Sequence, residues 1–235
     1  MNSQPIPAAL VGSEIVGKLG TTIYARNTSG PYSYTYQPRV DPDTPAQQTQ
    51  RQTFGSAAQT WDWTPLPLWI REPWATYAAN VPNISRTGIL TYPTGFNRFV
   101  GVISFKSYLG VGFNYYAPTE FTLGRLSPPI YSHPPIGNYY TRVKVTFDTS
   151  DPWRTQSGGA FALFCSRPQP PTINYFTGPF RKAGYRPGDQ GNPPAFGVFA
   201  LPFAATPGSF IWMRVRAAEN DNRLSPAIIS RLWYI

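Results

Sequence analysis

Apolar and polar positions alternate at period two near the front of the chain. In the stretch from Tyr24 to Gln37, YARNTSGPYSYTYQ, Ile23 and Ala25 alternate with Tyr24 and Arg26, NTSGP supplies turn residues, and Tyr32, Tyr34 and Tyr36 fall on one face of the return run. This pattern predicts a β-hairpin. An isolated two-stranded hairpin is marginal in water, so this one is expected to rest on another surface. Residues 1–20, small and turn-rich with Gly12, Gly17 and Gly20, read as an arm ahead of it.

The period then lengthens. DPDTPAQQTQRQTFGSAAQTW carries a helix start, with Thr44 as N-cap, Pro45 at the first helical position, and Asp41 and Asp43 near the positive end of the dipole. Ala46, Phe54, Ala57, Ala58 and Trp61 recur on one face of that helix. A second helix is expected in TPLPLWIREPWATYAANVP, with Trp69, Trp74, Tyr77 and Ala78 at compatible spacing and Pro73 either kinking it or confining it to the residues after the proline. A third runs from the N-cap Thr94 through Phe96, Phe99, Val100 and Ile103 to Gly110.

From about Ala117 the pattern returns to short strands between prolines and glycines. YTRVKVTFD, GAFALFCSR, AFGVFALPF, FIWMRVRAA and AIISRLWYI are the clearest. Strands at regular spacing without intervening helices predict an antiparallel sandwich of immunoglobulin or fibronectin type III kind. The expected fold is α+β, mainly β: an N-terminal arm over residues 1–20, a hairpin plus small helical base over 21–115, and a β-sandwich over 116–235.

Composition agrees with this reading: 27 prolines and 20 glycines against 13% charged residues favour short strands over long helices, and 41% hydrophobic residues exclude a disordered chain. The net charge of +9 would suit a polyanion, but the basic residues are scattered and the only adjacent pair is Arg181 and Lys182. Weak contact with nucleic acid is therefore a secondary expectation. No apolar run approaches bilayer length and the start lacks a signal-peptide pattern, so neither membrane insertion nor export is expected.

Chemistry-bearing residues are few. His133 lies between a serine and two prolines in YSHPPIG and reads as a loop residue; the single cysteine, Cys165, sits in apolar alternation and reads as a core thiol. One histidine and one cysteine cannot build a Cys/His zinc site, no GxSxG elbow or phosphate-binding glycine loop is present, and Asp148 and Asp151 suit an Asx-type turn after a strand. No catalytic residue, cofactor or metal is expected, and the chain is read as a non-enzyme.

GKLGTTIYARNTSGPYSY, PDTPAQQTQRQTFGSAAQTW, WATYAANVP and TGFNRFVGV, in that order, resemble an uncharacterised family of tailed-phage and prophage structural proteins. In that family a glycine-led hairpin of VVFxRN character precedes NPRTPAQQAQR, a helix ending in tryptophan, an RxxWxxYA helix and a GxxxFV segment. Gly17 to Arg26, Thr44 to Arg51, Trp61, Arg71 with Trp74 and Tyr77, and Gly95 with Phe99 match, while Pro73 departs from the family's uninterrupted helix. SRPQPPTINYFTGPFRKAG and RVRAAENDNRLSPA are similar to the β-sandwich tails of longer members.

The resemblance implies a virion component, a capsid, head or decoration protein ahead of a tail protein, assembled in the host cytoplasm. Its partners would be copies of itself in a high-order homo-oligomer, or other virion proteins. Aromatic residues supply large, stiff contact area. The expected subunit contacts are accordingly Tyr24, Arg26, Tyr32, Tyr34, Tyr36 and Arg39. The alternative is a carbohydrate-binding or adhesive module using Trp153, Tyr185 and Trp233.

Overall fold

The computed structural model describes residues 17–27, 30–36, 43–62, 66–84, 89–134, 140–176 and 178–234. Among those residues, three α-helices and many antiparallel strands in several sheets make the chain α+β and rich in β structure. Two compact units are present, residues 1–44 and 45–235.

In the first unit β1 (Gly17–Leu19), β2 (Thr22–Asn27) and β3 (Gly30–Thr35) form an antiparallel sheet in that order. The expected hairpin is β2–β3, with Ile23 opposite Tyr34 and Ala25 opposite Tyr32. Gly17–Leu19, in the segment expected as an arm, adds a third strand through Lys18 opposite Ile23. Gly20 allows the reversal between β1 and β2: its φ of +60° is a conformation that a Cβ would strain. Three residues are too short for a period to show in the sequence.

The second unit begins with α1 (Pro45–Asp62), α2 (Leu68–Asn80) and α3 (Gly95–Leu109). Both ends of α3 follow the sequence signals. Thr94 accepts a hydrogen bond from the Asn97 amide, and Gly110 closes the helix in the left-handed conformation at φ +72°. The helix α1 starts at Pro45, as expected, but joins the core through Ala57, Ala58 and Trp61 near its C-terminal end, leaving Phe54 54% exposed. The helix α2 begins ahead of Pro73 and runs through it. It buries Ile70, Trp74, Tyr77 and Ala78. Trp69, one position and about 100° round the helix from Ile70, is therefore 60% exposed rather than buried. A short ladder of β4 (Asn83–Ile84) and β5 (Leu90–Thr91) comes after α2.

Arginines tie these helices together. Arg71 donates to the Trp61 carbonyl at the end of α1 and lies over the Trp61 ring, while Arg98 donates to the Val81 carbonyl at the end of α2 and lies over the Tyr77 ring. Each brings a positive charge to a helix C-terminus, where the unpaired carbonyls are negative. At the α2–α3 crossing the backbones nearly touch: a Cβ on Gly95 would stand 2.7 Å from the Ala75 nitrogen.

The remaining strands are β6 (Ile130–Ser132), β7 (Arg142–Thr146), β8 (Ala160–Cys165), β9 (Arg181–Pro187), β10 (Phe196–Ala200), β11 (Ser209–Ala218) and β12 (Ile228–Tyr234). They form two antiparallel sheets, ordered β10-β7-β6 and β12-β11-β8-β9. Val143 and Val145 of β7 and Phe199 of β10 share one apolar cluster with Phe161, Leu163 and Cys165 of β8 and with Ile211, Met213 and Val215 of β11. The other face of β8 is covered too, because Ala160 and Ala162 pack with Leu109 of α3. That two-sided burial explains why AFALFC is an unbroken apolar run.

Two residues from the β11–β12 region, Ala218 and Leu224, belong to the helical cluster. The loop between them is held by polar groups. Lys106 of α3, with no exposed surface, donates to the Asn222 side chain at 2.9 Å and to the Asn220 carbonyl at 3.4 Å. Asn222 in turn donates to the Asn114 and Tyr116 carbonyls, and Arg223 pairs with Glu219, Asp221 and Glu120. Burial raises the Glu219 carboxyl above the usual range, against the backbone hydrogen bond from Arg125 and the nearby Arg223 charge.

Candidate subunit interface

Period-two alternation on β3 puts Tyr32 and Tyr34 on one face, and their rings stack at 6.0 Å with 20° between planes. Tyr36 continues that spacing, and its amide donates to the Thr21 carbonyl. Tyr34 is 41% and Tyr36 42% exposed, while Tyr32 is half-buried. Cross-strand partners share a face, so Ala25 and Ile23 flank this ladder. Tyr24, opposite Ser33, points to the other side of the sheet. Arg26 is paired with Pro31 in the β2–β3 register, and its side chain lies outside what is described. Arg39 lies outside the described residues altogether. Of the six expected contact residues, Tyr32 and Tyr34 thus meet, Tyr36 follows at the same spacing, Tyr24 is on the opposite face, and the side chains of Arg26 and Arg39 lie outside what is described.

A further set of exposed aromatics lies in the second unit. Trp69 and Tyr116 meet at 6.0 Å, Phe113 and Tyr115 at 5.9 Å, and Phe121 is also exposed. The signal in the sequence was VGFNYYAPTEF, an aromatic-rich stretch without either period, which gives it no buried face to fill.

Several of the described arginines are engaged within the fold. Arg216 lies over Phe105 at 5.8 Å, and burial lowers it to about 10. Arg231 sits over Phe210 at 4.4 Å, and buried Arg154 donates to the Pro194 carbonyl.

The residues considered for catalysis occupy structural positions. The Nε2 of His133 is 3.1 Å from the Trp233 carbonyl, and its ring meets Tyr234 edge-on. Cys165 is buried in the core, which pushes its thiol up to about 12. Asp148 accepts from the Ser150 amide and hydroxyl, the expected turn, whereas Asp151 is buried and accepts from the Ser127 amide. Among the described residues no three His, Cys, Asp or Glu side chains are grouped to hold a metal. No helix among them is long and apolar enough to cross a membrane.

The aromatics considered for sugar binding are dispersed. Trp153 has no exposed surface, Trp233 is half-buried against Phe210 at 4.4 Å, and Tyr185 is exposed on β9. Trp153 is therefore corrected from candidate ligand platform to core residue: Phe147 and Phe161 pack around it. Comparison of the chain with protein-family models, curated proteins and solved structures returned no match.

Proposed function

We propose that the chain is a non-enzymatic structural component of a phage or phage-like particle, a capsid, head or decoration protein that assembles through its N-terminal sheet. The observation that carries this reading is the tyrosine face of a compact three-stranded unit, where neighbouring phenol rings stack and Tyr34 and Tyr36 keep about two-fifths of their surface open. Exposed aromatic faces suit burial at an interface and exposed strand edges add to other sheets, so a second copy of the chain is the natural cover. The motif order that resembles phage structural proteins points the same way. We read the two sheets with a shared core as an immunoglobulin- or fibronectin type III-like sandwich, projecting from the helical base.

The test is assembly. Replacing Tyr32, Tyr34 and Tyr36 together with serine is expected to leave the second unit folded, by circular dichroism, while lowering the assembled fraction in light scattering and electron microscopy. Particle formation equal to that of the unaltered chain refutes the proposal, as does a glycan array showing specific sugar binding by a chain that stays monomeric.

A further inference from the structure

At one corner of the second unit the first turn of α1, the end of α3 and the outer side of β8–β9 enclose a cavity of about 540 Å³. Four aromatic rings line it, those of Tyr108, Phe164, Phe180 and Phe203. Two of the lining residues are Arg181 and Lys182, the adjacent basic pair that stands alone in the sequence. Lys182 is held in place by the Tyr108 carbonyl at 3.0 Å and by the Tyr108 ring at 4.5 Å, whereas Arg181 is exposed.

Two more cations stand over the same rings. The exposed Arg167 lies over Phe203 at 5.2 Å. Arg214 lies over both Phe164 and Phe180, and its buried Nε has no acceptor among the described residues. Among the described residues no carboxylate lines the cavity, and the side chains of Gln47 and Gln50 border it.

We propose that this cavity binds single-stranded nucleic acid, taking one nucleotide with its phosphate on Arg181 and its base on the aromatic wall. Rings with cations interleaved among them suit unpaired bases on a phosphate backbone, because every base has a face to stack and every linkage a negative charge. The volume lies within the range of small-ligand pockets. Paired bases hide their faces inside the stack, so duplex fits this site worse. This site involves none of the tyrosines of β3, so it stands or falls apart from the assembly reading.

The experiment is a fluorescence-anisotropy titration of the full chain with a fluorescein-labelled oligo(dT) of about twelve nucleotides, run across a salt series. Arg181→Ala is expected to weaken binding about tenfold and to lower the slope of log affinity against log salt by about one. Phe203→Leu, which keeps an apolar side chain but removes the ring, is expected to weaken oligo(dT) about tenfold while leaving inorganic polyphosphate binding unchanged. Arg125→Ala, at an exposed arginine outside the cavity lining, removes the same charge and is expected to change affinity little.

Three results would each overturn the site: no binding at low salt, equal weakening by Arg125→Ala and Arg181→Ala, or polyphosphate displacing the oligonucleotide as well as unlabelled oligo(dT) does at equal phosphate. Circular dichroism of each variant separates lost binding from lost folding.

Discussion

Lys106 allows a quantitative check on the buried polar lock between α3 and the β11–β12 loop. Its ammonium is removed from water and meets an amide oxygen and a carbonyl rather than a carboxylate in direct contact. Burial lowers it to about 8, with Asp221 acting weakly the other way. In the unfolded chain a lysine titrates near 10.4. Between these values the unfolded state holds more proton than the folded state, so this residue's contribution to stability rises with pH. Below pH 8 the charged, buried form costs about 3 kcal/mol, and about 1 kcal/mol of that is recovered between pH 7 and pH 9.

Lys106→Met lacks this titration. Urea unfolding of both proteins from pH 7 to pH 9 should therefore show the stability of the original rising relative to the variant by about 1 kcal/mol. Raised groups such as Cys165, Tyr77 and Tyr131, each held near 12 by burial, pull stability down at high pH, but equally in both proteins. Parallel pH profiles for the two proteins would refute the assignment of a buried, proton-losing lysine at this position.

Two glycines of α3 should respond with opposite sign. Gly95→Ala places a methyl 2.7 Å from the Ala75 nitrogen and should cost about 1–3 kcal/mol by forcing α2 and α3 apart, read as a lower melting temperature. At Gly101 an added Cβ meets nothing within 4 Å, so Gly101→Ala should gain about 0.5–1 kcal/mol from helix propensity. The Cys165 thiol, buried and pushed to about 12, should react with an aromatic disulfide reagent no faster than the chain unfolds. A fast native-state reaction would show that the β8 core opens locally.

Elements with local signals were legible in the sequence. Thr94 and Gly110 fixed both ends of α3, Pro45 the start of α1, and alternation the β2–β3 hairpin, because each rule acts within a few residues. The features that escaped depend on distant partners. The burial of Lys106 is set by Asn222, 116 residues further on, and the exposure of Trp69 depends on which side of α2 the third helix covers. The same holds for the candidate sites. The tyrosine ladder comes directly from period two, but the meeting of Arg181 and Lys182 with Tyr108 and Phe203 is made by tertiary packing between segments that carry no shared pattern.

The presence of Ala218 and Leu224 in the helical cluster bears on how the chain is made. A nascent polypeptide emerging from the ribosome completes α1, α2 and α3 early, yet the floor beneath Val102 and Ile103 is delivered only when Ala218 and Leu224, more than a hundred residues further on, appear. Until then that apolar face stays open to chaperones and proteases. A message truncated before the codon for Ala218 would accordingly yield helices without a seat, cleared by the cell rather than accumulated as a free domain.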